Sequence, residues 1–314
     1  MLPEIHLGFL HLPMYGFMVF LGLIAFVITT IIIFEKIEKK SNHVTNRILL
    51  ISIPGFIILF ASAFVFNSVF HSIEEGRLII GGITWLGGVV GGFPAMIFLI
   101  HKLSPLTKGE PLATFELMMP GIVLAHAFGR VGCFFGGCCY GGVTDSAFGV
   151  RFPEGSAAAM QYPAADGASL PVLPTQLFEA VFDLILFLLI MILFKRIRGH
   201  IFETYAFAYG TFRFAIEFIR GDDRGGTGIL LSPSQLMSIV LIASGIIVLL
   251  YKRGIIFKKL RERMKEYITD RNNGVQPLGI RGTRLLRELK QLSDEGVITV
   301  EEFNEKKAEI LKNL

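Results

Sequence analysis

Apolar residues in this chain come in long blocks separated by short polar ones. Seven blocks stand out, at about 14–34, 48–70, 79–101, 112–130, 174–194, 201–219 and 233–251. Each reaches the roughly 20 residues that a helix needs to cross a bilayer. The third and fourth carry several Gly or Pro. The pattern predicts an all-α integral membrane protein with about seven transmembrane helices. The polar gaps set its orientation. EKIEKKSNHVTNR, KLSPLTKGE, KRIRGH and YKRG place Lys and Arg beside the spans, whereas alternate connections such as HSIEEGR carry fewer. Basic flanks stay in the cytoplasm. The N-terminus is therefore expected outside, the C-terminus in the cytoplasm, and 131–173 as an external loop folded partly over the membrane surface. MLPEIHLGFLHLPMYG has neither a basic n-region nor a small-residue cleavage site, which argues against a cleaved signal peptide.

Beyond residue 251 the pattern changes. KRGIIFKKLRERMKEY reads as a basic amphipathic surface helix drawn to anionic lipid, and a polar linker follows it. In the last stretch Leu285, Leu286, Leu289 and Leu292 share one helical face, Asp-Glu-Gly breaks the helix, and Thr299 with Glu302 forms a capping box for a second helix through Leu311. The expected division is a polytopic membrane domain at 1–252, a basic segment and linker at 253–280, and a small cytoplasmic helical hairpin at 281–314. Such a hairpin buries little by itself, so docking on a partner or on its own copy is expected.

Composition supports the membrane reading. Of 314 residues 52% are hydrophobic and 18% charged, with a mean hydropathy of +0.59; soluble domains average about 25% charged. The net charge of +4 does not mark a nucleic-acid binder. Half of the 30 Lys and Arg follow residue 251, interleaved with 10 of the 26 acids, as in a solvated tail.

Charges inside the apolar blocks are costly and therefore informative. In AYGTFRFAIEFIRGDDRGG, Tyr209, Arg213, Glu217 and Arg220 fall at i, i+4, i+8 and i+11, one stripe of a helix. Arg213 can pair with Glu217, which leaves Arg220 without a helical partner one turn on and suited to a phosphate. Pairing of these arginines with Glu179, Asp183 or Glu116 on other helices is the competing account. LPTQLFEAVFD places Gln176, Glu179 and Asp183 on one face of the fifth span. Arg130 lies at the outer end of the fourth, one turn after His126, a candidate base. GGITWLGGVVGG lacks the strand and the Lys-Ser/Thr ending of a phosphate loop; close packing of membrane helices explains its glycines better.

HAFGRVGCFFGGCCYGG, residues 126–142, holds all three cysteines. Cys133, Cys138 and Cys139 lack the fourth ligand of a structural zinc site, and adjacent cysteines are poor geometry for one ion, so no metal is assigned. A disulfide from Cys133 to Cys138 or Cys139 is permissible on the external side, and reactive thiols are the alternative. No cofactor is implied.

These motifs together resemble the prolipoprotein diacylglyceryl transferase family. GRVGCFFGGCCYG is similar to that family's Gly-Arg-x-Gly-Asn-Phe-x-Asn-x-Glu-x-x-Gly, YGTFRFAIEFIR to its Tyr-Gly-x-x-Arg-x-x-x-Glu-x-x-Arg, and LPTQLFEA to its Pro-x-Gln-Leu-Tyr-Glu. MYGFMVFLG resembles its first-span Tyr-Gly motif, and LSPSQ its Ser-x-x-Gln before the last span. The resemblance covers about 1–250. It implies transfer of the diacylglyceryl group of phosphatidylglycerol to the lipobox cysteine of a preprolipoprotein, with release of glycerol phosphate, in the bacterial plasma (inner) membrane. It casts Arg130 and Arg213 as catalytic, with His126 a substitute base, and Arg220, Tyr15, Gln176, Glu179, Tyr209, Glu217, Gln235, Gly129, Gly132 and Gly141 as substrate-binding. Cys133, Gly136 and Cys138 stand where the family has Asn, Asn and Glu, and Leu86 stands where it often has His or Tyr. Two further readings stay open: a related phospholipid-dependent transferase with another acceptor or a Cys-based mechanism, in which Arg130 lowers the pKa of Cys133, and a non-catalytic lipid-binding protein. The C-terminal hairpin resembles the SHOCT module, which implies self-association.

Overall fold

A computed structural model describes residues 4–7, 10–78, 80–81, 84–103, 110–222 and 231–256, and in the tail 286–287, 289–291, 293–295 and 299–312. The chain falls into two compact units. One comprises residues 1–107 and 111–253, the other 108–110 and 254–314.

The first unit opens on a hairpin of β1 (Glu4–Leu7) and β2 (Leu10–Pro13), paired antiparallel with Glu4 opposite Pro13. This hairpin is the one departure from an all-helical fold among the described elements. The long helices follow: α1 (Met14–Ile31, continued by a wider turn over Ile32–Ile37), α2 (Asn42–Glu75), α3 (Trp85–Leu103) and α4 (Pro111–Phe135). A short α5 (Ala157–Gln161) precedes α6 (Thr175–Ile197), α7 (Ile201–Ile216) and α8 (Pro233–Lys252). Each apolar block is thus a helix. Among the described residues five of them are long and apolar enough to cross a membrane, so the protein is a multi-pass membrane protein. Pro54, Pro94 and Pro120 sit inside these helices. Neighbouring helices in a bundle make such prolines tolerable at membrane depth.

Glycine sets the closest helix contacts. A β-carbon on Gly92 of α3 would lie 2.6 Å from Leu59 Cβ of α2, and one on Gly22 of α1 would lie 2.9 Å from the Ala125 carbonyl of α4. Gly87, Gly88, Gly91 and Gly92 therefore serve packing against α2, as small residues do between membrane helices. Packing on lipid leaves much of the outer surface apolar: Phe20, Leu50, Ile57 and Ile192 are exposed.

Polar contacts tie the two ends of the bundle. At one end Lys252 Nζ reaches Glu116 Oε1 (2.5 Å), Glu203 Oε2 (2.9 Å) and the Gly199 carbonyl (2.5 Å). Glu116 therefore pairs with this lysine and not with the arginines. Arg47 donates to the Leu103 carbonyl and Arg198 pairs with Glu38 at loops of the same kind. The other end carries the 136–174 segment. It closes around a small core of its own, Tyr140, Phe152, Ala158 and Val172, through the bridges Val143–Val172, Val150–Val172 and Pro163–Ser169.

Two local expectations need correction. The fourth helix runs on to Phe135, so Cys133 lies on the helix and not in a loop. The seventh helix stops at Ile216, a tighter turn covers Glu217–Ile219, and Arg220 is extended and bridged to Gly141. Arg220 therefore leaves the helical stripe that spacing assigned to it. In the second unit the predicted cap is present: Thr299 N–H donates to Glu302 Oε2 (2.9 Å) and Glu302 N–H to Thr299 Oγ1 (3.2 Å), opening α9 (Val300–Lys312). Leu285, Leu292, the linker and the basic stretch beyond residue 256 lie outside the described residues, as does the side chain of Leu86.

Candidate active site

Two helices, α4 and α7, converge on Glu179, which is fully buried on α6. Its Oε1 accepts from Arg130 Nη2 of α4 (2.7 Å) and from the Tyr209 hydroxyl of α7 (2.7 Å), and lies 4.0 Å from His126 Nε2. Arg130 Nε donates to His126 Nε2 at 3.3 Å, and His126 Nδ1 stands 2.9 Å from Asp183 Oδ2. With Nε2 accepting, the ring proton falls on Nδ1, beside the carboxylate. The ring is clamped between aromatics: Trp85 stacks on one face (centroids 4.2 Å, 10°) and Tyr209 meets it edge-on (5.0 Å, 79°). Tyr205 stacks on Tyr209 and accepts from Trp85 Nε1 at 3.3 Å.

A second cluster sits one turn further along α7. Arg213 is 2% exposed; its Nη1 donates to Glu217 Oε2 (2.6 Å) and its Nη2 to Ser234 Oγ (2.7 Å). Ser232 Oγ donates to the other Glu217 oxygen at 2.8 Å and closes a capping box with Gln235 at the start of α8. Arg220 forks onto Asp222 (Nε–Oδ1 2.8 Å, Nη2–Oδ2 2.7 Å). Asp222, two residues on, thus supplies the partner that helical spacing lacked. Arg220 Nη1 is buried with no hydrogen-bond partner among the described residues. Burial works against the Arg220 charge, but Cys139 and Asp222 outweigh it and raise its pKa above the ordinary guanidinium value.

A cavity of about 750 Å³ opens beside these clusters. Its polar end is lined by Tyr15, His126, Arg130, Asn67, Asp222 and Ser234, and its wall continues along Val19, Leu23, Phe56, Leu59, Phe60 and Ile122. Gly129 also lines it, and a β-carbon there would meet nothing within 4 Å. Gly132 and Gly141 face protein instead. Gly132 abuts Tyr15 and Met18, and Gly141 abuts Leu173 and the Ile219 carbonyl. Arg213, Glu179, Tyr209, Glu217, Gln176 and Gln235 stand behind the lining and position it. Gln176 Nε2 donates to the Cys138 carbonyl (2.6 Å) and Thr175 Oγ1 to that of Cys139 (2.8 Å).

The three cysteines line the same cavity. None is in a disulfide, and their three Sγ atoms lie within 4.8 Å of one another. Cys139 has φ of 67°, a left-handed conformation that places two adjacent thiols in one cluster. The pKa of the Cys138 thiol sits above its ordinary value. A hydrogen bond with Cys133 favours its thiolate, but Cys139 and burial oppose it and push its pKa up to about 12.

Trp85, Tyr205, Ser234 and Asp222 are site residues that motif reading did not select, whereas Ser232 is the serine of the Ser-x-x-Gln motif. Trp85 carries a signal of its own, as the one tryptophan of the chain at a span end. Ser234 is a common residue with none.

Fold and site define a class: a multi-pass membrane protein with buried arginine–carboxylate pairs at the polar end of a largely apolar cavity. The family model for prolipoprotein diacylglyceryl transferase matches residues 4–251, and the chain belongs to that family. Among similar proteins, "phosphatidylglycerol–prolipoprotein diacylglyceryl transferase 2" of Clostridium perfringens is 33% identical over 247 residues, 74% of this chain and 88% of that one. The Clostridium tetani enzyme named for the same transfer is 29% identical (74% and 90% covered), and that of Dehalococcoides mccartyi 30% (79% and 92%).

Proposed function

We propose that this protein transfers the diacylglyceryl group of phosphatidylglycerol to the lipobox cysteine of preprolipoproteins. The observation that carries the reading is the cavity: Arg130 at a polar end, continuous with an apolar wall, in a volume that suits a phospholipid head group and the start of its chains. The lipid phosphate lies against Arg130, which offers a planar fork. Arg213 acts from behind through Ser234 and Glu217, and Arg220 through Asp222. The substrate thiol gives its proton to His126 Nε2, which Arg130 vacates when it turns to the phosphate. Asp183 holds the opposite ring nitrogen and stabilises the imidazolium. The thiolate sulfur bonds to the glycerol carbon. The carbon–oxygen bond to phosphate breaks, its electron pair goes to the leaving glycerol phosphate, and the cations offset that charge in a site shielded from water.

The same reading extends to setting. All seven helices span the bacterial inner membrane with the N-terminus outside, in agreement with the basic loops. Residues 1–252 form the transferase domain, 253–280 a lipid-attracted segment and linker, and 281–314 a SHOCT-like hairpin through which copies associate. The test uses purified protein in detergent, labelled phosphatidylglycerol and a lipobox peptide. Label is expected on the peptide and not on its Cys→Ser variant. Arg130→Ala is expected to lower the rate by about 10²–10³-fold, as loss of an aimed charge donor does. Lipid binding without any transfer to the peptide would refute the proposal.

A further inference from the structure

The three thiols form a cluster that the transfer reaction does not use. We propose that Cys133, Cys138 and Cys139 bind one thiophilic divalent cation, zinc(II), through three thiolates, with the fourth coordination position facing the cavity. Zinc held by sulfur at about 2.3 Å in a tetrahedron sets the sulfurs about 3.8 Å apart. The observed spread of at most 4.8 Å is a contraction of about 1 Å from that, within what χ1 adjustments allow.

The backbone is built to bring these side chains together. Successive side chains of an extended strand point to opposite sides, so neighbouring cysteines ordinarily diverge. Here α4 runs to Phe135 and carries Cys133 on its last turns. Gly137 takes φ of 65°, the Cys138 N–H donates to the Cys133 carbonyl at 3.2 Å, and Cys139 takes φ of 67°. A left-handed conformation at a residue with a β-carbon is strained and persists only where surroundings hold it. Two side chains of α6 hold it here: Gln176 on the Cys138 carbonyl and Thr175 on the Cys139 carbonyl. Fixing the peptide units on both sides of Cys139 is what a metal site needs from its outer shell.

The donor set selects the ion. Sulfur alone favours soft cations and rejects magnesium and calcium. Three thiolates and one zinc(II) leave a single negative charge. Arg130 acts electrostatically on Cys133 and Cys139, and Arg220 on Cys139, so cations are in place to balance it. All three cysteines line the 750 Å³ cavity, which gives the ion a path in and a fourth ligand a place. Three protein ligands and one open position is the arrangement of reactive zinc sites, as opposed to closed structural ones.

The site is tested without lipid or peptide, so its failure and failure of the transfer reading are separate results. Full-length protein in detergent is stripped with chelator, reloaded with zinc chloride, desalted, and its metal counted by elemental mass spectrometry. One zinc per chain is expected. Competition with a chromogenic chelator should show Thr175→Val binding zinc about 10–100-fold more weakly, the cost of losing an outer-shell partner. A Cys138→Ser/Cys139→Ser variant should bind none. Cobalt(II) added to the wild-type protein should give sulfur-to-cobalt charge-transfer absorption with the visible bands of a tetrahedral site, a readout that holds even if the variants fail to fold. Absence of that spectrum, zinc binding undiminished by the double Cys variant, or a Cys133 disulfide in freshly purified protein would each overturn the proposal.

Discussion

Glu179→Gln isolates the central pairing of the site. The substitution keeps shape and removes a fully buried charge that accepts from Arg130 and Tyr209 at 2.7 Å each. What remains is a buried guanidinium facing a neutral amide, with His126 Nε2 as its other contact. Removing one partner of a buried pair costs about 3–5 kcal/mol, mostly the penalty for the charge left behind. At about 2–4 °C per kcal/mol for a unit of this size, the midpoint of thermal unfolding should fall by roughly 6–20 °C. The assay is unfolding in detergent, followed by intrinsic fluorescence or loss of the monodisperse peak. Tyr209→Phe removes one hydrogen bond to a charged acceptor and should cost only about 1.5–3 kcal/mol. Combining Glu179→Gln with Arg130→Gln should recover part of the loss, because no uncompensated charge is then buried. A Glu179→Gln shift below about 1 kcal/mol, or strict additivity in the double variant, would show that Arg130 and Glu179 do not pair in the folded protein.

Lys252→Met leaves Glu116 and Glu203 buried without their shared cation, and a loss of about 3–5 kcal/mol is expected in the same unfolding assay, reduced when Glu203→Gln is added. Gly92→Ala pushes a methyl into Leu59, whose Cα would lie 2.9 Å away, so α2 and α3 must part; a cost of about 1–3 kcal/mol is expected by thermal unfolding. Gly129→Ala has open space around it and a better helix former in place, so stability should hold or rise by about 1 kcal/mol while KM for the lipid rises in the transfer assay. Thr299→Ala removes the capping box of α9, and faster amide exchange over 300–303 in the full chain, corresponding to about 1 kcal/mol, should report it.

Much of the architecture was legible because it depends on local order. The apolar blocks became helices, five of them long and apolar enough among the described residues to cross a membrane, since a helix satisfies its own backbone hydrogen bonds in lipid. Arg213 and Glu217 met at their i, i+4 spacing, and Thr299 with Glu302 capped α9 as read. Pairing across helices was less accessible. Glu179, Asp183 and Glu116 were equal candidates for the arginines. Packing gave Glu179 to Arg130 and Glu116 to Lys252, 136 residues away. Arg220 was misjudged because α7 ends one turn early and Asp222, reached only by a turn, lies outside any helical stripe.

The sequence by itself determined the solvent of this protein, its helical character and the family signature, because these rest on residue type and spacing along one segment. Tertiary structure decided which charges neutralise one another, that Trp85 clamps His126, and that three thiols converge. Convergence of the thiols depends on one left-handed residue, Cys139, held by hydrogen bonds from a helix 36 residues on. No periodicity encodes that angle, since its cost is met by partners brought there only by the fold.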